Sequence, residues 1–316
     1  MQKTNRFIKF TRPEPDKGKT GRIQLNKKSR VSLCFLFIRT IRRSYGYLPS
    51  WQHSRNRITR ELNGGVARVN QIDPFQTDQT QPFQHILGKT GCLLIHGFTG
   101  TPWAIHELGN LFAQNNISCI APLLPGHGET PEALNHIKWQ DWIHVCQESL
   151  KELQKHCDRV FIVGLSMGGT LALALGAENQ LNGLITLSAP IEIKNRWFRF
   201  LPIIKIFIRC WKKHKDKIKD HPFEVGYDCY PTGGLIEFFK LLQHTRMVMK
   251  QIKCPVLILH ARGDRTVPSR NAEIIARTVG STETELHFLN HPCHVITKGD
   301  DQEIVFDKIL DFINRN

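Results

Sequence analysis

The chain has 316 residues, 41% of them hydrophobic, which is enough to bury one large core or two ordinary ones. Its formal charge is +15, but residues 1–70 hold 17 Lys and Arg against 3 Asp and Glu, so the remainder is close to neutral. That division argues against a nucleic-acid face on the folded part and confines any polyanion or anionic-lipid contact to a basic arm.

The arm has few periodic apolar positions. Its one apolar run, residues 31–38, is too short to span a bilayer. Arg39, Thr40, Ile41, Arg42 and Arg43 follow it, where a secretory signal would place small cleavage residues. An Arg-rich, acid-poor start also has the composition of an organelle transit peptide. The preferred reading is a basic, disordered extension over residues 1–84, or a start assigned too far upstream, although no methionine lies between Met1 and Met167. A chain beginning near residue 70 is therefore expected to keep its melting temperature and its turnover on a soluble ester. Nine cysteines stand singly between Cys34 and Cys293, with no C-x-x-C pair and no metal-ligand spacing. This pattern predicts reduced, mostly buried thiols in a cytoplasmic protein, and no metal.

From residue 85 onward the period alternates between strand and helix. Residues 91–95 form an apolar run that leads into His96, Gly97, Phe98, Thr99 and Gly100. A helix is predicted to start at Pro102, capped by Thr101, and a second strand to follow over 117–121, which makes a parallel βαβ unit. A turn-rich loop, Pro125, Gly126, His127 and Gly128, precedes a helix over 139–156 whose apolar stripe is Trp142, Val145, Cys146, Leu150 and Leu153. A strand over 160–163 then meets Gly164, Leu165, Ser166, Met167, Gly168 and Gly169, after which helix formers take over. Another strand over 183–187 ends at Ser188. The rhythm breaks from about 191 to 232, in an aromatic and basic insertion, and resumes with helix 235–250, strand 256–259, helix 271–279, strand 285–289 and helix 302–313. Six strands with helices between them predict an α/β fold with a doubly wound, mostly parallel sheet.

The glycine-rich turn at 164–169 is the candidate site. A G-x-S-x-G elbow between strand and helix lifts a serine hydroxyl above the sheet. A hydroxyl is a weak nucleophile at neutral pH, so it needs a histidine base, and the histidine needs a carboxylate to fix its tautomer. Such groups belong just past the carboxyl ends of strands. Asp264 follows the 256–259 strand and His294 follows the 285–289 strand, giving the chain order Ser166, Asp264, His294. Asp300 and Asp301 come after His294 and do not fit this order. His260 and His291 are rivals for the base, and His294 is preferred because Pro292 after His291 marks a turn leading into it. Two backbone N–H groups are needed for the oxyanion, and Met167 and Phe98 are the candidates.

HGFTG at 96–100, PGHG at 125–128, GLSMGG at 164–169, the Asp264 loop and HVIT at 294–297 together resemble the bacterial carboxylesterases of the α/β-hydrolase superfamily, a group related to monoacylglycerol lipases. The resemblance runs from about residue 85 to the C-terminus. It implies an α/β-hydrolase domain over 85–316 with a helical cap at about 191–232. It also implies a small-molecule ester substrate, with short to medium acyl chains or monoglycerides, and no cofactor. A monomer is expected, with no nucleic-acid partner. Within the cap, Trp197 and Phe198 are read as lining an acyl pocket. The cap is expected to face inward over Ser166 rather than to lie on a membrane, although its lysines from Lys212 to Lys219 fit the second arrangement too. A thioesterase or acyltransferase using the same three residues is the alternative activity, and a binding protein on a dead hydrolase site is the third.

Overall fold

The computed structural model describes residues 77–193, 200–213 and 226–316. Most of the basic extension lies outside the described residues, as do Trp197, Phe198, Lys215, Lys217 and Lys219.

The described residues form nine strands. The first five are β1 (Phe83–His85), β2 (Thr90–Ile95), β3 (Ser118–Ala121), β4 (Arg159–Leu165) and β5 (Gly183–Leu187). Two more, β6 (Cys210–Lys212) and β7 (Cys229–Pro231), pair only with each other, and β8 (Val256–Ala261) and β9 (Thr284–Leu289) complete the main sheet. The sheet order is β1-β3-β2-β4-β5-β8-β9, with every neighbouring pair parallel except β1 with β3. The six strands expected from apolar runs are all present. The edge strand β1 is additional: three residues, Phe83 to His85, show no alternation long enough to be read. It also takes the sheet two residues into the segment read as an extension.

Eight helices accompany the strands among the described residues: α1 (His106–Gln114), α2 (Pro131–Leu134), α3 (Trp139–His156), α4 (Met167–Glu178), α5 (Leu201–Phe207), α6 (Thr232–Val248), α7 (Arg270–Thr278) and α8 (Gln302–Arg315). Thr101 does not cap the first of them. Residues Pro102–Ile105 form a 3-10 turn, the Thr101 side chain makes no capping bond, and α1 starts only at His106. Along β2 the side chains alternate: Leu93 and Ile95 enter the core beneath α3, α4, α6 and α7, while Cys92 and Leu94 enter the core beneath α1 and α8. Trp142, Leu171, Phe238 and Ile275 fill the first core, and Phe112, Phe161, Ile309 and Phe312 fill the second. β4 and β5 are buried on both faces, which is why they read as unbroken apolar runs. The chain passes from β2 outward to β3 and then back across β2 to β4. The carboxyl ends of β2 and β4 therefore open onto a topological switch point, where open α/β sheets bind their ligands.

The segment between β5 and α6 holds α5 and the β6/β7 ribbon. Scaffold side chains hold both of its ends. Asn271 Oδ1 accepts the N–H groups of Ile191 (2.8 Å) and Glu192 (2.7 Å). At the other end Asn135 donates from Nδ2 to the Arg209 carbonyl (3.0 Å) and accepts at Oδ1 the Gly233 N–H (2.6 Å). A disulfide joins Cys210 to Cys229 across the ribbon, with Cα atoms 5.8 Å apart. This corrects the expectation of reduced thiols throughout. The two cysteines are 19 residues apart and become neighbours only because the antiparallel ribbon brings them together. A disulfide belongs to oxidising surroundings, so cysteine usage no longer argues for the cytoplasm. Among the described residues no helix is long and apolar enough to cross a membrane. On α5, Leu201 and Ile204 are buried, whereas Ile203, Ile206 and Phe207 face solvent.

Candidate active site

Ser166 sits between the last residue of β4 and the first of α4, with φ 55° and ψ −120°. A serine in this region is strained, and the strain persists because its surroundings fix it. Its N–H donates to the Leu187 carbonyl at the end of β5 (2.8 Å), and its carbonyl accepts the N–H groups of Gly169 (2.8 Å) and Thr170 (3.2 Å). The glycines leave room for this crossing of strand and helix. A Cβ on Gly164 would overlap the Gly168 carbonyl, and one on Gly168 would overlap the Ile95 carbonyl. Gly168→Ala is accordingly expected to cost about 1–3 kcal/mol of stability, because backbone rather than a flexible side chain would have to move. A melting temperature equal to the parent's would show that the elbow has slack.

The loops after β8 and β9 deliver the other two residues. His294 Nε2 lies 3.0 Å from Ser166 Oγ, and its Nδ1 lies 2.7 Å from Asp264 Oδ2. The other carboxylate oxygen, Oδ1, accepts the N–H groups of Thr266 (2.7 Å) and Val267 (2.9 Å). Burial on its own would raise the Asp264 pKa. The charge and hydrogen bond of His294, the Val267 N–H and His260 outweigh it, so the carboxyl is held below its usual range. Ionised Asp264 selects the tautomer with the proton on His294 Nδ1, which leaves the Nε2 lone pair facing the serine hydroxyl. The structure thus brings together the three residues that the sequence singles out.

The rival histidines stand elsewhere. His260 is fully buried at the end of β8, hydrogen-bonds through Nε2 to the Val267 carbonyl (2.9 Å) and approaches Asp264 Oδ2 only to 3.6 Å. Burial pushes its pKa down. His291 lies at the surface, where its Nε2 meets Asp300 at 3.0 Å and its N–H donates to Asp301 at 3.0 Å.

Gly97, Phe98, Trp103, Ser166, His294 and Val295 line one cleft. Among the described residues the N–H groups of Phe98 and Met167 have no acceptor within the protein. The turn that carries Phe98 is fixed by His96, which lies between the Gly97 carbonyl at Nδ1 (2.9 Å) and the Leu124 N–H at Nε2 (3.1 Å). The Phe98 ring stacks on Phe238 at 5.5 Å and on Tyr230 at 6.5 Å, so the turn also bears the cap. The Tyr227 hydroxyl ties the cap to the second glycine-rich loop by donating to the Gly126 carbonyl (2.8 Å).

Two residues near the cleft carry no signal in the sequence. Lys298 places its Nζ 4.3 Å from the centre of the Trp103 ring and 2.8 Å from Glu107, fixing the far wall of the cleft. Nearly 200 residues separate the partners, and neither a motif nor a spacing announces the pair.

His96 and His127 carry a pH dependence. Burial lowers His96 to about 4, and burial with the adjacent His96 lowers His127 to about 3. Both pKa values lie below the unfolded value of 6.5, so below pH 6.5 the unfolded chain takes up protons that the folded chain does not. Stability is therefore expected to fall as pH drops from about 6.5 toward 4, by about 2 kcal/mol per histidine at pH 5. Thermal melts of the parent and of His127→Phe at pH 7 and pH 5 check this. The variant should lose less between the two, and an equal loss would exclude His127 as a source.

Comparison with known proteins bears on what such a site belongs to. Residues 92–300 match the model of the alpha/beta hydrolase family. The chain belongs to that family. It is 31% identical over 246 residues to a thermostable monoacylglycerol lipase of Bacillus sp. (strain H-257), covering 75% of this chain and 95% of the relative. To a carboxylesterase of Bacillus subtilis (strain 168) it is 26% identical over 238 residues, covering 74% and 96%. Among solved structures, one from work on LipS and LipT, two metagenome-derived lipolytic enzymes, aligns with a TM-score of 0.70 and 26% identity over 76% of this chain and 99% of its own. The alpha/beta hydrolase assignment covers β2 to the turn before α8 and so includes the whole candidate site.

Proposed function

We propose that this hydrolase cleaves carboxylic esters of short to medium acyl chains, monoglycerides among them, through an acyl-enzyme on Ser166. The coarser statement follows from its family and relatives: the chain is an ester-hydrolysing enzyme. The serine mechanism rests on a single observation, the continuous line Asp264 Oδ2 to His294 (2.7 Å) and His294 to Ser166 Oγ (3.0 Å), and the substrate range is taken from the likeness to a monoacylglycerol lipase and a carboxylesterase.

In the proposed reaction His294 Nε2 takes the hydroxyl proton as Ser166 Oγ bonds to the ester carbonyl carbon. The carbonyl π-electrons move to oxygen, and the Phe98 and Met167 N–H groups receive the resulting oxyanion, each contributing about 3 kcal/mol in the transition state. The tetrahedral species collapses, the C–O bond to the alcohol breaks, and the His294 imidazolium protonates the leaving alkoxide. Water then attacks the acyl group with His294 again as base, releasing the acid and restoring Ser166. Asp264 stays ionised throughout and steadies the imidazolium.

Acid quenching during turnover of p-nitrophenyl butyrate, followed by peptide mass spectrometry, tests the covalent step. A butyryl group on the Ser166 peptide is expected. A butyryl group on another residue with Ser166 unmodified would overturn the proposal.

A further inference from the structure

The outer side of the cap combines apolar surface and positive charge. On α5, Ile203, Ile206 and Phe207 are 54%, 74% and 63% exposed, and their three- and four-residue spacing places them on one face. Trp211, on the adjoining ribbon strand, is also exposed. Lys205 on the same helix and Arg209 and Lys212 just after it are exposed, and the stretch from Phe200 to Lys213 contains no Asp or Glu. Among the described residues these three cations have no acidic partner. An exposed apolar ridge of this kind marks a contact surface.

Charge decides among its occupants. The N-terminal arm of this chain is itself strongly cationic and would be repelled. A second copy meeting cap to cap would bring like charges together. An anionic lipid surface suits both components, because the apolar side chains enter the boundary between headgroups and acyl chains while the cations remain among the headgroups. The ridge is joined to the site, since Tyr230 of the same ribbon stacks on Phe98 in the cleft.

We propose that α5 and the β6/β7 ribbon seat this hydrolase on anionic lipid surfaces, with Ile203, Ile206 and Phe207 inserted and Lys205, Arg209 and Lys212 at the headgroups. The ester-hydrolase reading supplies the purpose of the contact, but the contact itself does not depend on it.

The test is partition of the full chain onto phosphatidylglycerol and phosphatidylcholine vesicles at about 0.15 M salt, where long-range attraction is screened. The variants are Ile206→Ser with Phe207→Ser, and Lys205→Gln with Arg209→Gln and Lys212→Gln. The parent is expected to favour phosphatidylglycerol by about tenfold or more, and each variant to lose about tenfold of its partition. All three are expected to keep their turnover on soluble p-nitrophenyl butyrate. Partition unchanged in both variants would assign vesicle binding to another part of the chain, such as the basic arm, and would overturn the proposal. So would equal binding to the two lipids, a concentration-dependent dimer abolished by the serine substitutions, or turnover falling in step with binding. Ser166→Ala should partition like the parent, so a failure of the catalytic proposal and a failure of this one give different results.

Discussion

Ser166→Ala is expected to lower turnover of p-nitrophenyl butyrate by roughly 10⁴- to 10⁶-fold while leaving the melting temperature within a degree or two of the parent's. The size follows from the role. His294 Nε2 lies 3.0 Å from Ser166 Oγ, so removing Oγ removes the nucleophile and leaves only substrate binding and the oxyanion donors. The fold should tolerate the change, because the strained backbone at residue 166 is held through its own N–H and carbonyl and not through the side chain. A fluorophosphonate probe should label the parent at Ser166 alone and should not label the variant. Full activity in Ser166→Ala, or labelling at another residue, would end the proposed mechanism.

His294→Ala and Asp264→Asn should each reduce turnover by several orders of magnitude, about 10⁴-fold for the Asp264 variant. The two losses have different causes. Without His294 nothing accepts the serine proton, whereas the side-chain amide introduced by Asp264→Asn no longer selects the productive tautomer. Because the residues act as one unit, the double variant should be little worse than the less active of the two singles. His291→Ala should retain nearly full activity, since that ring is engaged with Asp300 at the surface. An inactive His291→Ala beside an active His294→Ala would reverse the assignment of the base.

The parts of the molecule that were legible in the sequence were those set by local chemistry. β4 and β5 are buried on both faces and announce themselves as apolar runs, and α3 shows its core stripe of Trp142, Cys146, Leu150 and Leu153 at helical spacing. The elbow was legible because only glycine fits at 164 and 168, where two pieces of backbone cross. Asp264 and His294 were legible through placement, since strand ends in a parallel sheet collect functional side chains at one edge. Contacts between distant parts of the chain were not legible. The three-residue β1 owes its existence to β3, and the Cys210–Cys229 bridge to a ribbon whose strands are 3 residues each. The outward face of α5 was ambiguous for a related reason: a helix with more apolar residues than one face can bury does not reveal which of them meets solvent.

The attachment of the cap leaves its sequence free to change. Asn271 and Asn135 grip it by main-chain groups only, at Ile191, Glu192, Arg209 and Gly233. Every non-proline residue carries those groups, so these two attachments place no demand on the side chains at Ile191, Glu192 and Arg209. Four positions are more constrained: a Cβ on Gly226 would strike the Thr99 carbonyl and one on Gly233 the Asn135 carbonyl, while Tyr227 and Tyr230 use their side chains. The two asparagines thus work as a socket that reads main chain, so most of the insert's side chains can be exchanged while the reaction centre below keeps its geometry.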